Sequence, residues 1–255
     1  MSATVAVALH GACGRMGEMV ARTLAATPDW SLVYRSDPLL EPDPGPPRAA
    51  PDLSGLAEGE IAGIIDFSLP EATAHAVETA RRLRCVLVSG TTGLHPSTRE
   101  AMQEASREIA VCWAPNFSTG VPILARALRE TAELLPETWQ VEIVEAHHKA
   151  KRDAPSGTAL RFGEIWKDAR GGRFVHGREG QVGPREAEEI GLHAVRLGTV
   201  VGEHRILLGG VGETIELTHR VQDRTAFASG SVEALRRLLD RQPGLYEWDE
   251  LLCSG

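Results

Sequence analysis

The chain has 255 residues, which suits one large domain or two modest ones. Hydrophobic residues make up 42%, enough for a substantial core, and the formal net charge is −8 with a pI near 5.6. That balance argues against general attraction to nucleic acid or anionic membranes, and every apolar run is far shorter than a membrane span.

The opening residues, MSATVAVALHGACGRMG, carry no basic region before their apolar stretch, which enters a glycine turn instead of a cleavage site. A cytoplasmic protein is expected. VAVAL (5–9) reads as a buried strand, and RMGEMVARTLAA (15–26) has helical spacing. WSLVYRS (30–36) is a second strand. EPDPGPPRAAPD (41–52) holds five prolines and is expected to be a loop. IAGIIDFS (61–68), CVLVSG (85–90) and IAVCWA (109–114) read as further strands, with helices over 70–83 and 96–108. Strand–helix alternation with continuously apolar strands implies a parallel sheet covered on both faces.

The pattern changes after residue 118. A helix is expected over 120–135, an alternating strand over 139–148 and another helix from 156. Residues 192–221 read as three strands joined by glycine turns, which favours antiparallel pairing. An amphipathic helix over 231–242 closes the chain. The expected organisation is a nucleotide-type α/β domain over 1–118 and 219–255, and an α+β domain over 119–218. Cys13, Cys85, Cys112 and Cys253 are scattered without a CxxC pair, so buried free thiols are expected and a zinc site is not.

GACGRMG (11–17) sits between the first strand and first helix. Glycines there let the backbone approach a pyrophosphate, and a helix N-terminus offers free N–H groups to it. Asp37 lies 20 residues past Gly17, where an acid would accept hydrogen bonds from an adenosine ribose. The spacing is GxxGxxG, with Cys13 where the second glycine of the usual motif stands; a plain strand–helix turn is the alternative. Arg15 and Arg35 could contact a 2′-phosphate, so NADH and NADPH both stay open. GTTG (90–93) and APNFSTG (114–120) follow two further strands, at the carboxyl ends where such folds bind ligands.

EAHHKAKRDAPSGTAL (145–160) concentrates His147, His148, Lys149, Lys151 and Arg152 beside a Pro-Ser-Gly-Thr turn. So many cations repel one another unless an anion or solvent compensates. Ser156 is a good N-cap, and Gly157 and Thr158 would present free backbone N–H groups at a helix start. Histidine next to lysine suits proton delivery near neutral pH. A carboxylate or phosphate site fits this pattern; a solvated basic loop is the bland alternative.

The stretch EAHHKAKRDAPSGTA closely resembles the E-x-HH-x-x-K-x-DAPSGTA signature of dihydrodipicolinate reductases, also called 4-hydroxy-tetrahydrodipicolinate reductases. GACGRMG, DFSLP (66–70), GTTG, APNFS and VGEH (201–204) resemble further landmarks of that family, in order along nearly the whole chain. The resemblance implies an N-terminal Rossmann dinucleotide-binding domain, a substrate domain with an open mixed sheet, and a homotetramer. It implies NADH- or NADPH-dependent reduction of a cyclic, unsaturated imine dicarboxylate in diaminopimelate and lysine synthesis. His147 would be the catalytic acid/base and Lys151 a proton donor, with His148, Gly157 and Thr158 binding the dicarboxylate. Gly11, Ala12, Cys13, Gly14, Arg15, Met16, Asp37, Gly90, Thr91, Thr92, Ala114, Pro115, Asn116 and Phe117 would bind the cofactor, and no metal is implied. Pro38 stands where some members carry an arginine, and the proline-rich 41–52 segment is a further departure. An aspartate-type amino-acid dehydrogenase and a non-catalytic dinucleotide sensor are the rival readings; the sensor would need neither His147 nor Lys151.

Overall fold

The computed structural model describes residues 4–253; residues 1–3 and 254–255, which the sequence analysis placed in the nucleotide-type domain, lie outside them. In chain order the elements are β1 (Val5–His10), α1 (Arg15–Ala26), β2 (Trp30–Ser36), β3 (Arg48–Ala50), β4 (Gly63–Asp66), α2 (Pro70–Leu83), β5 (Val86–Ser89), α3 (Pro96–Ala105) and β6 (Ala110–Trp113). Next come α4 (Gly120–Leu134), β7 (Gln140–His147), α5 (Gly157–Arg170), β8 (Arg173–His176), β9 (Glu189–Arg196), β10 (Gly202–Gly210) and β11 (Glu213–Val221). The last are α6 (Thr225–Leu238), β12 (Gly244–Tyr246) and α7 (Trp248–Cys253). The chain divides into two compact units. One runs to Thr119 and resumes at Arg224; the other spans Gly120–Asp223. The second boundary therefore falls at 223/224, where the sequence reading set it at 218/219.

The first unit is a seven-stranded sheet ordered β12-β6-β5-β4-β1-β2-β3, with every neighbouring pair parallel. Successive residues of each central strand feed opposite faces. Val7, Leu9, Ile65, Val88 and Cys112 join one apolar cluster with α1 and α6. Ala8, Ile64, Leu87 and Val111 join a second cluster with α2 and α3. Burial on both faces explains why these strands read as unbroken apolar runs rather than alternating ones. Full burial of each such Val, Leu or Ile stabilises the sheet by roughly 1.5–3 kcal/mol. The strand order reverses at β1/β4, so the carboxyl ends of β1, β2, β4, β5 and β6 line one edge around a topological switch point.

Two expectations for this unit need correction. The 41–52 segment is not wholly loop: Arg48–Ala50 adds an edge strand beside β2, with Pro47 and Pro51 just outside the ladder, where their missing N–H groups cost nothing. The last long helix spans 225–238, not 231–242. Its first turns bury Ala228, Gly230 and Ser231, which carry little apolar signal. A Cβ at Gly230 would lie 1.7 Å from the Phe117 carbonyl oxygen, so the position needs a residue without one.

The second unit is a mixed sheet ordered β11-β10-β7-β9-β8. Val141, Ile143, Ile190, Leu192, Ile206 and Leu208 point from one face into a core with α4 and α5. The strands over 189–221 are not three neighbours as the glycine turns suggested. β7 lies between β9 and β10, pairing parallel with β9 and antiparallel with β10, and only β10–β11 is a hairpin. The β9–β10 connection therefore crosses the carboxyl end of β7: Leu197 N–H donates to His147 O at 3.0 Å, and Lys149 N–H to Gly198 O at 3.2 Å. β8 was not foreseen. Among the described residues no helix is long and apolar enough to cross a membrane.

Candidate active site

In the first unit, β1 delivers the chain to Gly11 at φ +81°, a conformation that favours glycine. A Cβ there would meet the Phe67 carbonyl oxygen at 2.5 Å, and one at Gly17 would meet the Gly11 carbonyl oxygen at 2.2 Å. The turn is thus pressed against both β4's continuation and its own helix. Gly14 is the N-cap of α1 and supplies no side-chain cap, so the first-turn N–H groups are left for an anion. Ala12 and Met16 are partly buried, while Cys13, Gly14 and Arg15 are exposed. At the end of β2, the Asp37 carboxylate accepts Cys13 N–H at 3.2 Å and Leu39 N–H at 3.0 Å. Asp37 therefore ties down the glycine turn whatever else it binds. These features fit a dinucleotide: a tight turn, an uncapped helix start and an acid at the next strand end.

Asp66, at the end of β4, is fully buried. It accepts Ser68 N–H, at 3.0 Å, and the hydroxyls of Ser68, Thr73, Ser89 and Thr91, the last three at 3.0, 2.7 and 3.1 Å. One carboxylate thus fixes the starts of the loops after β4 and β5. Gly90 lies under the Phe67 ring, which a Cβ would strike at 2.1 Å, and Thr92 is exposed. After β6, Ala114 is buried and Pro115 exposed. Asn116 Oδ1 is occupied by Ser118 N–H at 2.8 Å. The Phe117 side chain is fully buried, packed edge-on to Phe67 and beside Trp248. Within the APNF loop, Phe117 therefore offers backbone only. The expectation of buried free thiols holds for Cys85 and Cys112, whose pKa values burial pushes up to about 12; Cys13 and Cys253 are exposed because a loop and the last turn of α7 carry them.

In the second unit, β7 ends at His147, so His148 escapes the strand alternation that would send it to the opposite face. Glu145 and His147, two residues apart, share one face. His147 Nδ1 lies 2.6 Å from Glu145 Oε2, which leaves Nε2 as the imidazole's other working atom. Gly202, on neighbouring β10, would place a Cβ 3.2 Å from that Nε2. Glu145 is 1% exposed and also accepts Ser156 N–H at 3.0 Å and both terminal nitrogens of Arg196 at 2.8 Å. Burial alone would raise the Glu145 pKa, but hydrogen bonds from Arg196, His147 and Ser156 outweigh it and hold the carboxyl below its ordinary value.

Ser156 caps α5 by accepting Ala159 N–H at 3.2 Å. That leaves the N–H groups of Gly157 and Thr158 at the helix start without intrahelical acceptors. Ser156 Oγ lies 3.1 Å from Nε2 of His204, and the His204 and His147 rings meet edge-to-face at 5.2 Å between centroids. Burial drives the His204 pKa down to about 4, with the His147 charge adding to the shift, so His204 is neutral at pH 7. Lys151 Nζ pairs with Asp153 at 2.9 Å, and Lys149 and Arg152 are exposed to solvent. His147 thus ends β7, Lys151 lies on the loop that follows and Gly157 and Thr158 open α5, while Lys149 and Arg152 are solvated charges.

The family model of the dihydrodipicolinate reductase N-terminus matches residues 5–117, and that of the dihydrodipicolinate reductase C-terminus matches residues 120–252. The chain belongs to the dihydrodipicolinate reductase family. It is 40% identical to the 4-hydroxy-tetrahydrodipicolinate reductase of Rubrobacter xylanophilus over 98% of this chain and 99% of that one. It is 39% identical to the enzyme of the same name from Nitrosomonas europaea, over 96% and 97% of the two chains. Among solved structures, dipicolinate-bound dihydrodipicolinate reductase from Paenisporosarcina sp. TG-14 superposes with a TM-score of 0.72 at 24% identity, covering 96% of this chain and 97% of that one. The Corynebacterium glutamicum DAP dehydrogenase follows with a TM-score of 0.60 at 16% identity over 99% and 96% of the chains. At these identities the two structures establish the fold alone.

For this family member, sequence reasoning assigned no role to Glu145, Arg196 or Asp66. Glu145 stood inside the quoted signature and Asp66 inside DFSLP, but an acid on a strand looks solvated until its partners are known. Arg196 is 51 residues from Glu145 in sequence, and only the parallel β7–β9 pairing brings them together.

Proposed function

We propose that this chain catalyses the NADH- or NADPH-dependent reduction of 4-hydroxy-tetrahydrodipicolinate to tetrahydrodipicolinate, in diaminopimelate and lysine synthesis. The observation that carries the reading is the coincidence, between the end of β7 and the start of α5, of an oriented histidine, a lysine and two helix N–H groups without intrahelical acceptors. Of the two units, the one spanning 120–223 is read as the substrate domain and the other as the dinucleotide domain.

The glycine turn 11–16, Asp37 and the loops 90–92 and 114–117 would hold the dinucleotide, the first at its pyrophosphate and Asp37 at its ribose. A bound nicotinamide cofactor supplies the hydride. The 4-hydroxyl leaves as water, which gives the conjugated imine that takes up the hydride, and the remaining requirements are a proton and a fixed substrate. Gly157 and Thr158 N–H groups hold one carboxylate, and His148 assists. Such fixed donors convert a random encounter into an oriented one. His147 Nε2 and Lys151 Nζ stabilise the negative charge that develops on the ring-nitrogen side, and one of them gives up the proton. Preorganised donors of this kind typically contribute ~3–4 kcal/mol each to the barrier. Lys151 leaves Asp153 to do so, exchanging that carboxylate for the charge on the substrate ring.

The open face of the five-stranded sheet, opposite α4 and α5, carries Val144, Val195 and Leu207, with Val195 41% exposed. That face suits association between copies, in support of a homotetramer, and a cytoplasmic location fits a biosynthetic enzyme. The reading is tested by following NADH absorbance with the cyclic imine dicarboxylate, compared with oxaloacetate plus ammonia. Consumption with the second pair alone would make the protein an aspartate-type dehydrogenase, and consumption with neither would make it a sensor.

A further inference from the structure

The working side chains on the β7–α5 loop are not held by that loop alone. Arg196, at the end of β9, reaches both halves of it. Its two terminal nitrogens grip Glu145, and the same NH2 group donates to the Asp153 carbonyl oxygen. Glu145 in turn holds His147 Nδ1 and the Ser156 backbone N–H, while Asp153 holds Lys151 Nζ. The imidazole and the start of α5 are therefore bonded directly to Glu145, and the ammonium is linked to Arg196 through Asp153.

We infer that Glu145 and Arg196 are positioning residues that fix which nitrogen of His147 works and hold His147, Lys151 and the α5 N-terminus in one register. Glu145 accepts the Nδ1 proton, so the neutral imidazole is kept as the Nδ1–H tautomer and Nε2 is turned outward. Arg196 makes this possible. A carboxyl so deeply buried would otherwise favour its neutral form, which could not accept equally from the imidazole and the Ser156 amide. The two-pronged guanidinium occupies both oxygens and still leaves lone pairs for these donors. A lysine has the charge but not the fork.

The inference rests on the reading that His147 and Lys151 act on the substrate, and its test separates the two. In the full-length protein, Glu145→Gln keeps the shape but can donate to Nδ1, which admits the other tautomer. Nitrogen-15 shifts of the His147 ring, assigned by the signal missing from His147→Gln, should show a single Nδ1–H tautomer in the wild type and a mixture in Glu145→Gln. Turnover should fall about 10- to 100-fold, with substrate KM changed less than threefold and NADH binding, measured by its fluorescence, unaltered. Arg196→Lys should lie between, with a loss of about tenfold, and decides the matter should Glu145→Gln fail to fold. A Glu145→Gln or Arg196→Lys enzyme with turnover within twofold of wild type, or an unchanged His147 tautomer, overturns the inference. Failure of the wild type to reduce the cyclic imine would instead remove the proposed function. The ring spectra would then still decide whether Glu145 sets the tautomer.

Discussion

Ser156 and His204, 48 residues apart, meet at 3.1 Å in the core of the second unit, so the cap of α5 is shared with a buried neutral histidine. The pH dependence of stability follows. Burial lowers the folded-state pKa of His204 from the ordinary 6.5 to about 4. The unfolded chain therefore binds more protons than the folded one between these values, and stability falls as pH drops from 6.5 to 4. At ~1.4 kcal/mol per unit, His204 alone costs up to roughly 3 kcal/mol at the bottom of that window. His10 and His219, also lowered by burial, act in the same direction. Urea unfolding at pH 7 and pH 5 should show a smaller difference for His204→Gln than for the wild type. Equal differences would mean that His204 does not carry the acid sensitivity.

For catalysis, His147→Gln or Lys151→Ala should lower turnover by roughly 10²–10⁴-fold with cofactor affinity barely changed. Steady-state rates with NADH titration measure both. Near wild-type turnover in the double variant would refute the assignment.

The anion cradle should respond differently. Thr158→Pro removes one first-turn N–H without breaking the helix, because proline is tolerated there. Substrate KM should rise while NADH binding stays intact. If both weaken together, the turn is structural and holds no carboxylate.

Cofactor choice turns on Asp37. Its carboxylate would accept the ribose hydroxyls of NADH and repel the 2′-phosphate of NADPH, and Arg15 and Arg35 oppose that repulsion. Screened charges of this kind are each worth on the order of 1 kcal/mol. The net preference should lie within about tenfold, towards NADH. Asp37→Ala should shift the ratio of kcat/KM towards NADPH, more so at low salt. It should also loosen the glycine turn through the lost Cys13 contact, so both cofactors bind somewhat less tightly. An unchanged ratio would show that Asp37 touches no ribose.

Sequence reading went furthest where one physical signal dominated. The bounds of α1, β2 and α2 coincide with their apolar periods. It failed where partners are distant. Nothing local in RFVH distinguishes β8 from a loop, and nothing in glycine turns tells that β7 separates β9 from β10. The histidine–lysine loop was legible because its charges are crowded into a few residues. The Asp66 and Glu145 clusters were not, because their ligands come from up to 25 and 51 residues away.

Asp66 offers a direct check on the first unit. Asp66→Ala would leave the hydroxyls of Thr73, Ser89 and Thr91 buried without their shared acceptor. We expect a loss of about 3 kcal/mol or more and weaker NADH binding, since the 90–92 loop loses its anchor. Thermal melting and NADH titration would show it. A variant with wild-type stability and affinity would mean that the hydroxyls re-pair among themselves.

The first unit is completed by the last part of the chain. Ala228, Val232, Ala234, Leu235 and Leu238 of α6 cover the sheet face formed by Val7, Leu9, Ile65 and Val88. During synthesis that face is covered by α1 alone until the ribosome has passed the whole of 120–223 and released residues 224–238. The contiguous second unit meets no such delay. The nascent N-terminal half is thus the segment that needs chaperone protection, and a premature stop before α6 yields a sticky fragment rather than a smaller working domain.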